Sequence, residues 1–115
     1  MGNLKQQIRD YILQENNVSF RELENRFPEL IEPDQGDNLA PWYELEGNIV
    51  LWIGWTKEAF EMIAELKATN QISFQPCEVL IYAVDGKVLK LPVVKTNRKH
   101  KKPRWAPIVL CRPEL

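Results

Sequence analysis

The chain has 115 residues, of which 44% are hydrophobic and 27% charged, and its formal net charge is −1 at pH 7. This length predicts a single domain, residues 1–115, and the composition excludes a disordered or fibrous chain. No stretch approaches 18 consecutive apolar residues, which argues against a membrane-spanning helix and a membrane partner.

Residues 1–30 are predicted to form two short helices. Ser19 and Glu22 have the spacing of a capping box, which predicts that the second helix begins at Ser19, and Pro28 limits its length to about nine residues. Two helices joined by the tight Asn16–Val18 linker are typical of a helix-turn-helix opening. The first helix is predicted from residue 3 to about residue 15, because its apolar residues recur at helical spacing: Leu4, Ile8, Tyr11 and Ile12.

A β-hairpin is predicted over residues 42–53. With a two-residue Gly-Asn turn, Tyr43 lies opposite Trp52. The same register places Leu45 opposite Val50, so that all four apolar side chains share one face.

A third helix is predicted over residues 56–70, with Thr56 as its N-cap. Its outward side carries three carboxylates, at Glu58, Glu61 and Glu65. The opposite side is predicted to face the core, because it carries an apolar stripe of Ala59, Met62, Ile63 and Leu66 bordered by Phe60.

A second hairpin is predicted over residues 79–94, because Asp85-Gly86 between two β-rich runs favours a type I′ turn. Residues 95–104 are predicted to be a polar, basic loop. Residues 105–111 are predicted to form a last strand at a sheet edge, because Pro107 cannot donate to a ladder.

The stretch from Thr56 to Pro92 resembles the recognition helix and wing of a winged helix-turn-helix domain. A helix ends near Leu66, a polar turn and an isoleucine follow, and an Asp-Gly hairpin comes next. The predicted fold class is therefore α+β, with three helices packed on a small antiparallel sheet. That sheet is built from the 79–94 and 105–111 segments, and the 42–53 hairpin is inserted beside it.

Charge is unevenly distributed along the chain, since residues 1–50 carry −6 and residues 95–115 carry +6. Cations at the density of residues 95–104 attract phosphates and release counterions, and a flanking aromatic ring can stack on a base. We therefore predict a small regulatory nucleic-acid-binding protein, for which DNA is favoured over RNA and RNA remains an alternative. Its predicted contact residues are Lys87 and Lys90 in the wing, then Lys95, Arg98, Lys99, Lys101, Lys102, Arg104 and Trp105.

Two other interpretations of residues 95–104 remain. These residues can be a solvated connection whose charges offset the acidic half of the chain, or they can bind an anionic protein. In the second case the protein is an interaction module with complementary acidic and basic surfaces and no nucleic-acid role. The four tryptophans are interpreted mainly as core residues. Any tryptophan ring that stays exposed could form the interface of a homodimer.

Catalysis is not predicted. The only histidine, His100, lies among cations, and neither a nucleophile elbow nor a phosphate-binding glycine loop is present. Cys77 and Cys111 fit no metal-ligand spacing and are too few for a disulfide framework. We therefore expect no cofactor, no metal and reduced thiols. Since the first residues also lack the apolar stretch of a secretory signal, a cytoplasmic location is expected.

Overall fold

The computed structural model describes residues 3–33, 42–45, 48–94 and 101–113. Within these ranges the chain forms four α-helices, one 3₁₀ helix and two three-stranded sheets, so it has the predicted α+β class with one more helix and one more sheet than expected. The helices are α1 (Leu4–Glu15), α2 (Phe20–Arg26), α3 (Lys57–Ala68) and α4 (Val79–Asp85), with the 3₁₀ helix at Pro28–Leu30. The strands are β1 (Val18–Ser19), β2 (Trp42–Leu45), β3 (Ile49–Ile53), β4 (Ser73–Pro76), β5 (Arg104–Trp105) and β6 (Ile108–Cys111).

Helices α2 and α3 begin after their predicted caps, and α1 begins after a cap that was not predicted. Asn3 accepts a hydrogen bond from the Gln6 amide at the start of α1, at 2.7 Å. The Ser19 and Thr56 hydroxyls do the same for α2 and α3, at 2.9 and 3.0 Å. Each side chain satisfies an amide that has no partner within its helix.

One sheet has the strand order β1-β6-β4 and is antiparallel throughout. The last strand is therefore central, and its predicted edge position is wrong. Pro107 lies between β5 and β6 rather than inside a strand, so its missing amide removes no ladder hydrogen bond. Its carbonyl instead accepts from the Cys77 amide at 3.1 Å.

The other sheet has the strand order β2-β3-β5. Its β2–β3 hairpin has the predicted pairing of Tyr43 with Trp52. A bulge directly after Tyr43 shifts the register, so Leu45 lies opposite Ile49 instead of Val50. The short β5 joins this sheet in parallel with β3, so residues 104–111 contribute to both sheets.

The predicted hairpin over residues 79–94 is wrong, because residues 79–85 form α4. Tyr82 fixes this helix: its buried hydroxyl donates to the Ile108 carbonyl at 2.6 Å and accepts from the Phe20 amide at 3.2 Å. Gly86, with a φ of 104°, ends the helix in the left-handed conformation that glycine adopts readily. The Asp-Gly pair is therefore a helix end rather than a hairpin turn.

The core is rich in aromatic side chains. Trp52, Trp55 and Trp105 are all buried, and Phe20 stacks on Trp52 with a centroid separation of 6.1 Å. This confirms the interpretation of Trp52 as a core residue. The buried stripe of α3 also follows the prediction, with Ala59, Phe60, Ile63 and Leu66 inside and Met62 partly buried.

Candidate nucleic-acid interface

The predicted contact residues lie in the connection between two neighbouring strands. Strands β4 and β6 are antiparallel partners, from Ser73 opposite Cys111 to Pro76 opposite Ile108. The residues between them, 77–107, include α4 and the basic segment, by which we mean residues 95–104. The basic segment is thus part of the long connection from β4 to β6, which follows α3 in the chain.

Two lysines of the basic segment have described, exposed side chains, Lys101 and Lys102. Arg104 is half-buried in β5, where its amide donates to the Asn48 carbonyl at 2.9 Å. Lys95, Arg98 and Lys99 lie outside the described residues. Lys101 and Lys102 are therefore the described cations of this segment that are most open to a phosphate.

Trp105 cannot be the base-stacking residue that the sequence suggested. Its side chain is 1% exposed, and its ring lies 5.1 Å from the Tyr82 ring and 6.2 Å from the Trp52 ring, between centroids. No face of the indole is open to a base. The sequence places this ring beside six cations, but the packing places it in the core.

Lys87 contacts a carboxylate and an aromatic ring of the core. Its Nζ lies 3.9 Å from Glu24 Oε2 and 5.2 Å from the centroid of the Trp52 ring. Both contacts hold the ammonium toward the core, where the ring face attracts the cation. Lys90, the other predicted wing lysine, is exposed. The two predicted wing residues therefore have different roles, and of the two Lys90 is the one open to a phosphate.

The sequence did not predict the buried carboxylate that Lys87 contacts. Glu24 is 4% exposed, and its Oε1 accepts hydrogen bonds from the indole nitrogens of Trp52 and Trp55 at 2.9 and 3.0 Å. Its Oε2 accepts from Arg21 at 2.6 Å. One signal was present, because Glu24 lies four residues after Phe20 and three before Phe27, on the buried face of α2.

This Glu24 cluster, formed by Glu24, Arg21, Lys87, Trp52 and Trp55, is a structural junction rather than a reactive centre. Both carboxylate oxygens are occupied by donors, as a buried charge requires. Arg21 continues the contact to α4, where its Nε donates to the Asp85 carbonyl at 3.4 Å. The cluster therefore joins α2 to β3 and to the end of α4.

The outward surface of α3 is acidic. Glu58, Glu61 and Glu65 are exposed, and Glu65 forms an ion pair with Lys5 of α1. Carboxylates in a row repel the phosphate backbone. This face of α3 is poorly suited to enter the major groove.

A groove of about 410 Å³ lies between α1 and the segment around the 3₁₀ helix, lined by Tyr11, Arg26 and Phe27 among others. The Tyr11 hydroxyl donates to Glu22 at 2.6 Å, and this hydrogen bond raises the pKa of Tyr11 to about 12. Elsewhere, burial raises the pKa of the Cys77 thiol to about 11. Both groups are protonated at neutral pH and are poor proton acceptors or nucleophiles there.

The large apolar side chains with the highest exposed fractions lie on α4 and just after it in the chain. Leu80 is 68% exposed, Ile81 42%, Val84 77% and Val88 44%. Residues 80, 81 and 84 share one side of the helix, while Tyr82 points into the core. We call this set the α4 apolar face.

Comparison with known proteins finds no family model, no curated protein and no solved structure that matches this chain. Over the described ranges, no helix is both long and apolar enough to cross a bilayer. The same ranges contain no group of three histidine, cysteine, aspartate or glutamate side chains placed to hold a metal ion.

Proposed function

We propose that this protein binds nucleic acid, DNA in preference to RNA, through the basic segment in the β4–β6 connection. The observation that carries the proposal is the concentration of charge. Residues 95–104 contain six of the fifteen lysines and arginines, while the rest of the chain carries −7. A phosphate backbone is attracted by this segment and repelled by most other surfaces.

The order of the elements supports a winged-helix-like arrangement. Three helices occur in the order α1, α2, α3; β1 precedes α2, and the antiparallel pair of β4 and β6 follows α3. In the winged helix-turn-helix family, which the sequence resembles, the wing occupies the connection after the third helix. Here that connection holds the basic segment, so the proposed wing is residues 77–107 rather than the shorter 79–94 stretch.

The proposed mode of contact is with phosphates rather than with base edges. Lys101 and Lys102 are exposed, whereas α3 presents carboxylates and Trp105 is buried. Phosphate contacts position a protein on a duplex but carry little sequence information. We therefore expect salt-sensitive binding with weak sequence preference, and we propose a regulatory role for it.

The direct test compares two double variants that lose the same charge. In Lys101→Ala/Lys102→Ala the basic segment loses two cations, whereas Lys57→Ala/Lys67→Ala loses two exposed lysines of α3. Fluorescence anisotropy with a random-sequence duplex at low salt should show at least about tenfold weaker binding for the first and little change for the second. Equal losses in both variants would mean that only net charge matters, and the assigned site would be wrong.

The second candidate function is a protein–protein interaction module without a nucleic-acid role. It is favoured by the α4 apolar face, which exposes several large aliphatic side chains together. The same anisotropy experiment separates the two functions. If neither duplex nor single strands of DNA or RNA show salt-sensitive binding, the nucleic-acid proposal fails and the interaction module remains.

A further inference from the structure

The groove between α1 and the 3₁₀ helix has room for a small molecule. Its volume of about 410 Å³ lies within the range of about 300–1,000 Å³ that is usual for small-molecule sites. One wall is the side of α1 that carries Tyr11, and the other wall runs from the end of α2 into the 3₁₀ helix. We call this feature the α1 groove. Its lining combines two aromatic rings with side chains of both charges.

Arg26 is held in the α1 groove by the two aromatic rings. Its guanidinium carbon lies 5.2 Å from the centroid of the Phe27 ring and 6.0 Å from the centroid of the Tyr11 ring. The two rings meet edge to face at 5.9 Å, and the Tyr11 hydroxyl is fixed by its hydrogen bond to Glu22. An arginine fork that is already held in place loses little rotamer freedom on binding, and its planar geometry matches a carboxylate.

Arg26 and Glu29 carry opposite charges in the same groove without neutralising each other. Both are exposed, and in the part of the chain that the structure describes neither forms an ion pair, with the other or with a third residue. The remaining charged residue of the lining, Asp10, is paired with Arg9 at 3.0 Å. The α1 groove therefore presents one cation and one carboxylate that a ligand can neutralise.

These charges define the chemistry of the ligand. The Arg26 fork suits a carboxylate, whereas the carboxylates of Glu29 and Asp10 repel a ligand with several negative charges, such as a nucleotide or a polyacidic peptide. A ligand with one carboxylate and one ammonium neutralises both unpaired groups at once. The aromatic rings beside them offer apolar contact to the uncharged remainder of such a ligand.

We propose that the α1 groove binds a small zwitterion, an α-amino acid with an apolar side chain. The carboxylate of the amino acid pairs with Arg26 and its ammonium with Glu29, while its side chain lies against Tyr11 and Phe27. This inference goes beyond nucleic-acid binding and does not depend on it, because the groove contains no residue of the basic segment. Since both charged groups are exposed to solvent, the dissociation constant should lie in the range of about 0.1–10 mM.

Titration with L-leucine and with L-phenylalanine, followed by heteronuclear NMR, tests the proposal. Either amino acid, added up to about 50 mM, should shift the Arg26 side-chain signal and the Tyr11 and Phe27 amide signals toward saturation. Leucinamide lacks the carboxylate and N-acetyl-leucine lacks the ammonium. Each should therefore bind at least about fivefold more weakly than leucine.

Variants that remove one charge assign each end of the ligand. Arg26→Gln should weaken leucine binding at least about fivefold without weakening leucinamide, because leucinamide has no carboxylate to pair. Glu29→Gln should weaken leucine by a similar factor without weakening N-acetyl-leucine. Lys57→Gln and Glu61→Gln lose the same charges from the exposed side of α3 and should bind leucine like the wild type. Circular dichroism confirms that each variant is folded before its affinity is interpreted.

No shift of the Arg26 and Tyr11 signals with either amino acid up to about 50 mM overturns the proposal. Equal binding of leucine, leucinamide and N-acetyl-leucine overturns it as well, because the groove then does not select for the two charges. Equal losses in Arg26→Gln and Lys57→Gln would mean that only net charge matters, and the assigned site would be wrong. None of these measurements contains DNA, so failure here and failure of nucleic-acid binding are distinguishable.

Discussion

The Glu24 carboxylate accepts a hydrogen bond from the Trp52 indole at 2.9 Å, inside the core. This bond joins a charged residue of α2 to the central strand of the β2-β3-β5 sheet. Because Glu24 also contacts Arg21 and Lys87, it connects the packing of the aromatic core to the chain that directly follows α4. The fold therefore depends on a buried charge that is almost fully surrounded by donors.

Glu24→Ala should lower the free energy of unfolding by about 3 kcal/mol or more. The substitution leaves two buried indole N–H groups without acceptors and removes the partner of Arg21. Urea denaturation followed by tryptophan fluorescence measures the change. The control is Glu61→Ala on the exposed side of α3, which should change stability by less than about 0.5 kcal/mol. Equal effects in the two variants would contradict the role given to the Glu24 cluster.

Ser19→Ala should cost more than a helix cap alone. The Ser19 hydroxyl accepts from the Glu22 amide and donates to Asp85 of α4, and the residue is fully buried. Thr56→Ala removes a comparable cap from α3 and should cost about 1 kcal/mol. We expect Ser19→Ala to exceed it by about 1 kcal/mol, because the Asp85 carboxylate loses its donor. Thermal or urea unfolding of both variants gives the comparison, and a smaller cost at Ser19 would disprove the second bond.

The Cys77 thiol should react slowly with iodoacetamide. Its pKa is raised from 9.0 to about 11 by burial, so the thiolate fraction near pH 8 is lowered by about a hundredfold. Peptide mass spectrometry separates Cys77 from Cys111, and the chain in urea is the reference for an unperturbed thiol. The rate in the folded protein should rise with pH through about 11. A plateau near pH 9 would show that the thiol is not shielded as the structure indicates.

Trp105→Phe separates a core role from a nucleic-acid role. The indole Nε1 is buried and has no hydrogen-bond partner, so its removal costs no bond, and the smaller ring should cost about 1–2 kcal/mol through reduced packing. Affinity for single-stranded DNA should not change in the folded variant. A loss of single-strand affinity at unchanged stability would restore the stacking role that the sequence suggested.

Local features predicted α1, α2 and α3 well. Their apolar spacing and the predicted caps at Ser19 and Thr56 are all contained in short stretches of sequence. The pairing of Tyr43 with Trp52 was predicted for the same reason, whereas the bulge next to Tyr43 left no sequence signal.

Residues 79–94 were mispredicted because their local pattern fits two structures. Val, Leu, Ile and Tyr before Asp-Gly favour a strand and a tight turn, but a glycine also ends a helix. The helix is selected by distant contacts, above all those of Tyr82 with Ile108 and Phe20. The Glu24 cluster and the burial of Trp105 were not predicted for the same reason, because most of the residues that they contact lie far away in sequence.

The salt dependence of binding to a random DNA duplex tests the central claim most directly. If about four cations of the basic segment reach phosphates, the logarithm of the affinity should fall with the logarithm of salt concentration at a slope of roughly −3.6. Lys101→Ala/Lys102→Ala should reduce that slope by about 2, and Lys57→Ala/Lys67→Ala should leave it unchanged. A wild-type slope near zero, or no binding at low salt, would contradict nucleic-acid binding by this protein.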